Sequence, residues 1–260
     1  IGFIGFGKMA QAIWRGIEQQ GLVTSENVFF CEKQKDLLET HVQQFGINGC
    51  SINETITQSD IIFCCVKPQN IQGILDEMSK IELTNKHLVS ILAGIPIARF
   101  TDALGSIAMT RAMPNIPVMV KEGMTALAHH DSVDAQQKKV VHTLFSAIGK
   151  VIEIQETQMD VVTAISGSGP AFITQIIEDI ASIGVENGLS QEAARQCIIQ
   201  TLKGTAELLE ETSPEKLIQS VTSKGGTTEA GLNEYSKLNI SSHIQSVIKA
   251  TLQRSKQLSG

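Results

Sequence analysis

Aromatic residues make up only 4% of this 260-residue chain, with a single Trp and a single Tyr. That scarcity leaves no stacking platform for single-stranded nucleic acid. Positive charge is short as well: 21 Lys and Arg against 27 Asp and Glu give a net charge of −6. Such a balance argues against nucleic acid or an anionic membrane as partner. No apolar run reaches the length that spans a bilayer. The cysteines (Cys31, Cys50, Cys64, Cys65 and Cys197) form an odd set without Cys-x-x-Cys spacing, which fits reduced thiols and a cytoplasmic location. Adjacent Cys64 and Cys65 sit in an apolar run and read as buried small hydrophobes. No metal site is expected. A strand running into Gly-x-Gly is not a cleavable leader, and the missing initiator Met leads to the expectation that a few residues precede Ile1.

What is present is an ordinary soluble globule, 42% hydrophobic and 18% charged, of a length that suits two domains. Up to about residue 155, short apolar runs at 28–31, 61–66, 88–92, 107–111, 124–128 and 151–154 alternate with helix-like segments such as 34–44, 71–80 and 135–148. Strands alternating with helices imply a mostly parallel sheet covered on both faces. Beyond residue 157 the strand signal stops. Three stripes recur at helical spacing: Ile173, Ile176, Ile177, Ile180 and Ile183; Ala194, Cys197, Ile198, Thr201 and Leu202; Ile244, Val247, Ile248, Thr251 and Leu252. Ser190 and Ser213-Pro214 mark helix starts. The expected fold is α/β, a Rossmann-type doubly wound sheet over 1–156 followed by an all-α domain over 157–260.

The chain opens on Ile1-Gly-Phe-Ile-Gly5-Phe-Gly7-Lys-Met9-Ala10, a strand, a glycine turn and a helical pattern in immediate succession. Many glycine turns bind nothing, so it is the placement between strand and helix that carries the signal. Gly5 permits the tight turn, Gly7 lets a pyrophosphate approach the backbone, and Ala10 is small enough for the helix to pack on the strand. The helix start then offers unpaired N–H groups and a partial positive charge to the phosphates.

Ligands of such sheets bind beyond the carboxyl ends of the strands, which singles out the residues following each strand. After the second strand come Glu32-Lys33-Gln34-Lys35. An acid there would grip a ribose 2′-hydroxyl and a base would neutralise a 2′-phosphate, so Glu32 and Lys33 pull in opposite directions. Lys33 and Lys35 fit solvated surface charges equally well. Val66-Lys67-Pro68, Ser90-Ile-Leu-Ala93-Gly94 and Arg111-Ala-Met-Pro114-Asn115 follow later strands. A proline closing a strand can be mere punctuation, yet three such segments at one edge suit a cofactor crevice. In the helical half, Ser166-Gly-Ser-Gly-Pro170 and Ser223-Lys-Gly-Gly-Thr-Thr228 break otherwise apolar helices. Both fit tight inter-helix connections. The second also opens a helix over 229–237, presenting bare N–H groups and hydroxyls to a small carboxylate. It lacks an obvious acid or base, which suits chemistry supplied by a cofactor.

Together, Gly5-Phe-Gly-Lys-Met9-Ala10, Cys65-Val-Lys-Pro68, Arg111-Ala-Met-Pro-Asn115, Ser166-Gly-Ser-Gly-Pro170-Ala and Ser223-Lys-Gly-Gly-Thr-Thr228 resemble the motif series of pyrroline-5-carboxylate reductases in order and spacing. The resemblance covers nearly the whole chain, and the last motif is its most specific part. It implies NAD(P)H-dependent reduction of the cyclic imine 1-pyrroline-5-carboxylate to L-proline, the last step of proline biosynthesis. It also implies a helical domain that interlocks with a partner subunit, as a homodimer or a higher assembly of dimers. Carried over, it makes Thr228 the residue that hydrogen-bonds the imine nitrogen. Ser223 and the N–H groups of Gly226 and Thr227 would hold the substrate carboxylate. Gly5, Gly7, Lys8, Met9 and Ala10 would lie along the pyrophosphate, Asn53 near the adenosine ribose and Lys33 at a 2′-phosphate. Val66, Lys67 and Pro68, with Ala93, would complete the cofactor site on its nicotinamide side. NADP is the expected cofactor, with NAD as the alternative. The chain departs from the family pattern at Lys224, where many members carry proline, which bears on loop rigidity more than on chemistry.

Two rivals differ in kind. A β-hydroxyacid dehydrogenase-like oxidoreductase would need a catalytic Lys in the helix after a glycine break, but 166–187 holds no Lys or Arg. A non-catalytic nucleotide-sensing protein would have no use for Gly-Gly-Thr-Thr in the helical half.

Overall fold

The computed structural model describes residues 1–259. From the N-terminus, β1 (Gly2–Ile4), α1 (Lys8–Gln19), β2 (Phe29–Cys31), α2 (Lys35–Phe45), β3 (Asn48–Gly49) and α3 (Ile52–Thr57) follow one another. Next come β4 (Ile61–Cys64), α4 (Ile71–Met78), β5 (His87–Ser90), α5 (Ile97–Leu104), β6 (Ala108–Pro114), β7 (Gly123–His129), α6 (Ala135–Ser146) and β8 (Gly149–Glu153). The eight strands form one sheet in the order β3-β2-β1-β4-β5-β6-β7-β8. All pairs are parallel except β6 with β7. The strand order reverses at β1, which puts a crevice at the carboxyl ends of β1 and β4. This is the doubly wound sheet that the alternating pattern implies.

Each sheet face buries its own core. One gathers Phe3, Phe30, Phe63 and Val89 with Ile13, Trp14 and Ile17 of α1 and Leu144 and Phe145 of α6. The other gathers Ile4, Ile62, Leu88 and Met109 with Ile56 of α3, Ile71 and Leu75 of α4 and Phe100 of α5. Cys64 belongs to the second core, and burial pushes its thiol up to about 12. Cys65, expected beside it in the interior, is only half-buried.

Two local expectations need correction. The strand expected at 107–111 runs on as β6 to Pro114, so Arg111 lies mid-strand and only Asn115 lies beyond its end. Pairing with β5 ends at Arg111, and pairing with β7 alone carries the strand on, with Pro114 in the last position, where a missing N–H costs least. The glycine break at Ser166–Pro170 is not a loop. Short α7 (Met159–Val162) runs into one π turn at Thr163–Gly167 and then into α8 (Gly169–Glu186). The Ser168 N–H reaches back to Thr163 O at 2.9 Å, a local insertion that widens the helix without ending it.

The remaining helices are α9 (Gln191–Glu211), α10 (Pro214–Ser220), α11 (Thr227–Lys237) and α12 (Ile240–Ser259). One compact unit comprises Ile1–Ser168 with Thr251–Gly260, and the other Gly169–Ala250. The end of α12 thus belongs to the first of these units. In the second unit, α8 and α9 come close at Gly184, where a Cβ would lie 3.1 Å from Ala194 Cβ, and Ala181 and Ala194 are both buried. Ile173, Ile176, Ile180 and Ile183 of α8 remain 44–59% exposed. The four side chains form an exposed apolar stripe along the helix, the kind of patch that marks interaction surfaces.

A polar ladder crosses the sheet at the edge opposite the carboxyl ends of the parallel strands. His87 Nε2 lies 2.8 Å from Thr110 Oγ1, which lies 2.8 Å from His129 Nδ1. Burial pushes the His87 imidazole down to about 4, with nearby His129 adding to the effect and Asp134 opposing it. The folded protein thus keeps His87 neutral at a pH where the unfolded chain, titrating near 6.5, takes up a proton. More protons on the unfolded state mean that stability rises with pH. Lowering the pH from 7 toward 4 should therefore cost about 3 kcal/mol at this residue. His129, shifted down chiefly by burial, acts in the same direction. His87→Gln should reduce the slope, measured as urea midpoints at pH 7 and pH 5. A wild-type and variant difference that is the same at both pH values would contradict this.

Candidate active site

The glycine turn is held from below. Phe6 is fully buried, its ring against Phe3, Phe30, Phe45 and His41 at centroid distances of 4.8–5.5 Å. Gln11 Nε2 donates to Phe6 O at 2.9 Å and lies 3.1 Å from His41 Nε2. Gly5 adopts φ +82°, and a Cβ there would come within 3.0 Å of the Val66 side chain and 3.3 Å of the Cys65 backbone. Over Gly7, by contrast, a Cβ would meet nothing within 4 Å. Gly7 is the N-cap of α1 and supplies no side chain to it, and the first turn holds no acid. The leading N–H groups, at Lys8, Met9 and buried Ala10, thus head a helix with open space before it. A turn closed below and open above fits a dinucleotide pyrophosphate.

At the end of β2, both oxygens of Glu32 are engaged by backbone. Phe6 N donates to Oε2 at 3.4 Å and Lys33 N to Oε1 at 2.9 Å. Glu32 therefore braces the glycine turn, while Lys33 is exposed beside it. The neighbouring β3 delivers α3 to the same edge, because Cys50 N bonds to Phe30 O at 2.9 Å. Ser51 caps α3 in a reciprocal box with Glu54, leaving Asn53 exposed in the first turn.

Cys65 N bonds to Ile4 O at 2.9 Å, which carries half-buried Val66 and exposed Lys67 and Pro68 to the edge beside the glycine turn. Beyond β5, Ala93 is half-buried and Gly94 buried. Asn115 ties two motifs together: its Oδ1 accepts from Met124 N at 2.9 Å, and its Nδ2 reaches Ser166 O and Oγ at 3.3 and 3.2 Å. The expected cofactor residues thus lie along one sheet edge. A cavity of about 290 Å³ lined by Ile1, Leu22, Val23, Ile61 and Val140 lies at the other edge, away from these motifs.

In the helical unit, α11 begins at Thr227, two residues before the start expected from sequence. Gly226 is its N-cap, and a Cβ there would collide with the Ser223 hydroxyl. Gly226 N bonds to Ser223 O at 3.0 Å, closing the turn. Thr227 and Thr228 are exposed at the first two helical positions, where backbone N–H groups have no partner within the helix. Ser223 is exposed beside them. Sequence reasoning missed Glu229, whose Oε2 accepts from Gly225 N at 2.7 Å. That bond braces the turn and answers the question of rigidity raised by exposed Lys224. An acid at the third helical position is the available signal, since it habitually reaches back to the N–H groups ahead of the helix.

Two family models match this chain: "Pyrroline-5-carboxylate reductase dimerisation" over residues 156–258 and "NADP oxidoreductase coenzyme F420-dependent" over residues 1–94. A pyrroline-5-carboxylate reductase of Methanosarcina acetivorans is 34% identical, covering 99% of this chain and 97% of that protein. One from Synechocystis is 36% identical over the same shares. The solved pyrroline carboxylate reductase of Plasmodium falciparum, with NADP bound, superposes with a TM-score of 0.89 at 32% identity, covering 100% of this chain and 97% of that one.

Proposed function

This chain belongs to the pyrroline-5-carboxylate reductase family, an NAD(P)-dependent oxidoreductase family, and on that premise we propose that it reduces 1-pyrroline-5-carboxylate to L-proline with NADPH. The observation that carries the reading is the Ser223–Thr228 turn, an uncapped helix start flanked by three hydroxyls. A five-membered imine bearing a carboxylate matches it. The carboxylate takes the N–H of Thr227 with the Ser223 hydroxyl, favoured by the helix dipole, while the N–H of Gly226, expected to join them, is engaged by Ser223 O and shapes the turn instead. The Thr228 hydroxyl is left for the ring nitrogen, which it orients and whose developing amine it stabilises. The hydride would come from a reduced nicotinamide when the cofactor is bound. Because a protonated imine is already electrophilic, the residues mainly align it, and no strong enzymic acid is needed.

Gly5, Gly7, Lys8, Met9 and Ala10 cradle the pyrophosphate, Asn53 meets the adenosine ribose, and Val66, Lys67, Pro68 and Ala93 flank the nicotinamide half. NADPH is favoured over NADH because exposed Lys33 follows β2, where a cation meets a 2′-phosphate, while the Glu32 carboxylate braces the glycine turn through the N–H groups of Phe6 and Lys33. Lys33→Ala should lower kcat/KM for NADPH by about 1.5–3 kcal/mol, the worth of one charge-assisted contact, and leave NADH unchanged. An unchanged NADPH-to-NADH ratio would remove Lys33 from the site. No helix among the described residues is long and apolar enough to cross a membrane. The enzyme is proposed to act in the cytoplasm as a homodimer or an assembly of dimers. Purified protein should consume NADPH only when 1-pyrroline-5-carboxylate is present. Cofactor binding without such turnover would favour a nucleotide sensor instead.

A further inference from the structure

We infer that Glu156 is a positioning residue, which fixes the loop after β5 for the nicotinamide half of the cofactor through its hold on buried Arg111. The inference rests on the proposed role of that loop, which carries Ala93. Arg111 is 3% exposed in the middle of β6. Its Nη1 lies 3.2 Å from Glu156 Oε1, while its Nε and Nη2 have no hydrogen-bond partner among the described residues. A buried cation with one counter-charge holds that carboxylate in place. The same Oε1 accepts the N–H of Ile97, the first residue of α5, at 2.7 Å. Pro96, the N-cap of α5, has no side chain able to cap it, so Glu156 supplies the cap from a distant part of the chain.

The loop is therefore fixed along its length. At its start, Ile91 N bonds to Cys64 O at 3.2 Å. In its middle, a Cβ at Gly94 would lie 2.9 Å from Leu258 Cβ, so the backbone packs against the end of α12. At its end stands Glu156. In the sheet order, β5 lies beyond β4, on the side of β1 away from β2 and Lys33. A displaced loop should therefore disturb the nicotinamide half and spare the adenosine half.

The test uses Arg111→Met/Glu156→Leu, which removes both charges and the cap. Replacing a buried ion pair by apolar residues is often neutral for stability, so the double variant separates folding from positioning. Binding of NADPH should weaken by about tenfold, within the range for residues coupled to a ligand they do not touch. Binding of 2′-phospho-ADP-ribose, which lacks nicotinamide, should stay within about twofold of wild type. Glu156→Gln keeps an acceptor for Ile97 N and should show a smaller loss of the same selectivity. If the double variant does not fold, this single variant decides the matter. Equal losses for both ligands, or no loss for either, would overturn the positioning role. Wild-type protein that binds neither ligand would instead overturn the cofactor reading on which it rests.

Discussion

Thr228→Ala should lose on the order of 10- to 1,000-fold in kcat/KM, the range for removing one hydrogen bond aligned on a reacting centre. NADPH binding should be unchanged, because the hydroxyl is assigned to the imine and not to the cofactor. Stability should also hold. Thr228 is exposed in the first turn of α11, and surface substitutions of this kind usually change stability by about 0.5 kcal/mol or less. Thr228→Ser, which keeps the hydroxyl, should recover most of the activity. Thr227→Ala should be mild, since the backbone N–H that carries its role survives the substitution. Steady-state kinetics on the four proteins decides the register. A fully active Thr228→Ala beside an inactive Thr227→Ala would shift the motif by one residue.

Ile176→Glu/Ile180→Glu should abolish self-association at micromolar concentration. The two residues are 46% and 47% exposed on one face of α8, so covering each adds about half of the ~1.5–3 kcal/mol that full burial of such a side chain is worth. In a two-fold interface each substitution acts twice, so four carboxylates would enter the seam. Sedimentation velocity should show a dimer or larger for wild type and a monomer for the variant. A wild type that sediments as a monomer at micromolar concentration would remove assembly from the account.

The fold was legible where a single physical rule dominates. Alternating apolar runs and helical stripes identify a doubly wound sheet and a helical half, because each element must bury one face. Short elements were not legible. The two residues of β3 make a strand only because β2 lies alongside, and the six residues of α3 are too few to establish a period. The Ser51-x-x-Glu54 box was the one available signal for α3. The π turn at Thr163–Gly167 was read as a connection because Gly-Ser-Gly-Pro usually marks one, whereas Asn115, 51 residues away, anchors it from the sheet.

The candidate site divides in the same way. The Gly5–Ala10 turn follows from local backbone chemistry, and so does the Gly-Gly-Thr-Thr helix start, although α11 begins at Thr227, two residues before the expected start. The side chains that brace them act through contacts that spacing does not reveal. Glu32 serves the glycine turn from β2, and Glu156 reaches α5 across 59 residues of chain. Arg111 looked like a strand-end residue, and only the extension of β6 to Pro114 shows it to be a buried cation.

Deuterium tracing tests the central claim most directly. NADPH carrying deuterium at the transferring C4 position should yield L-proline with one deuterium at C5, the former imine carbon, for each cofactor oxidised. Unlabelled proline, no proline, or label recovered in the hydroxy acid of a hydroxy- or keto-acid pair would contradict the assignment.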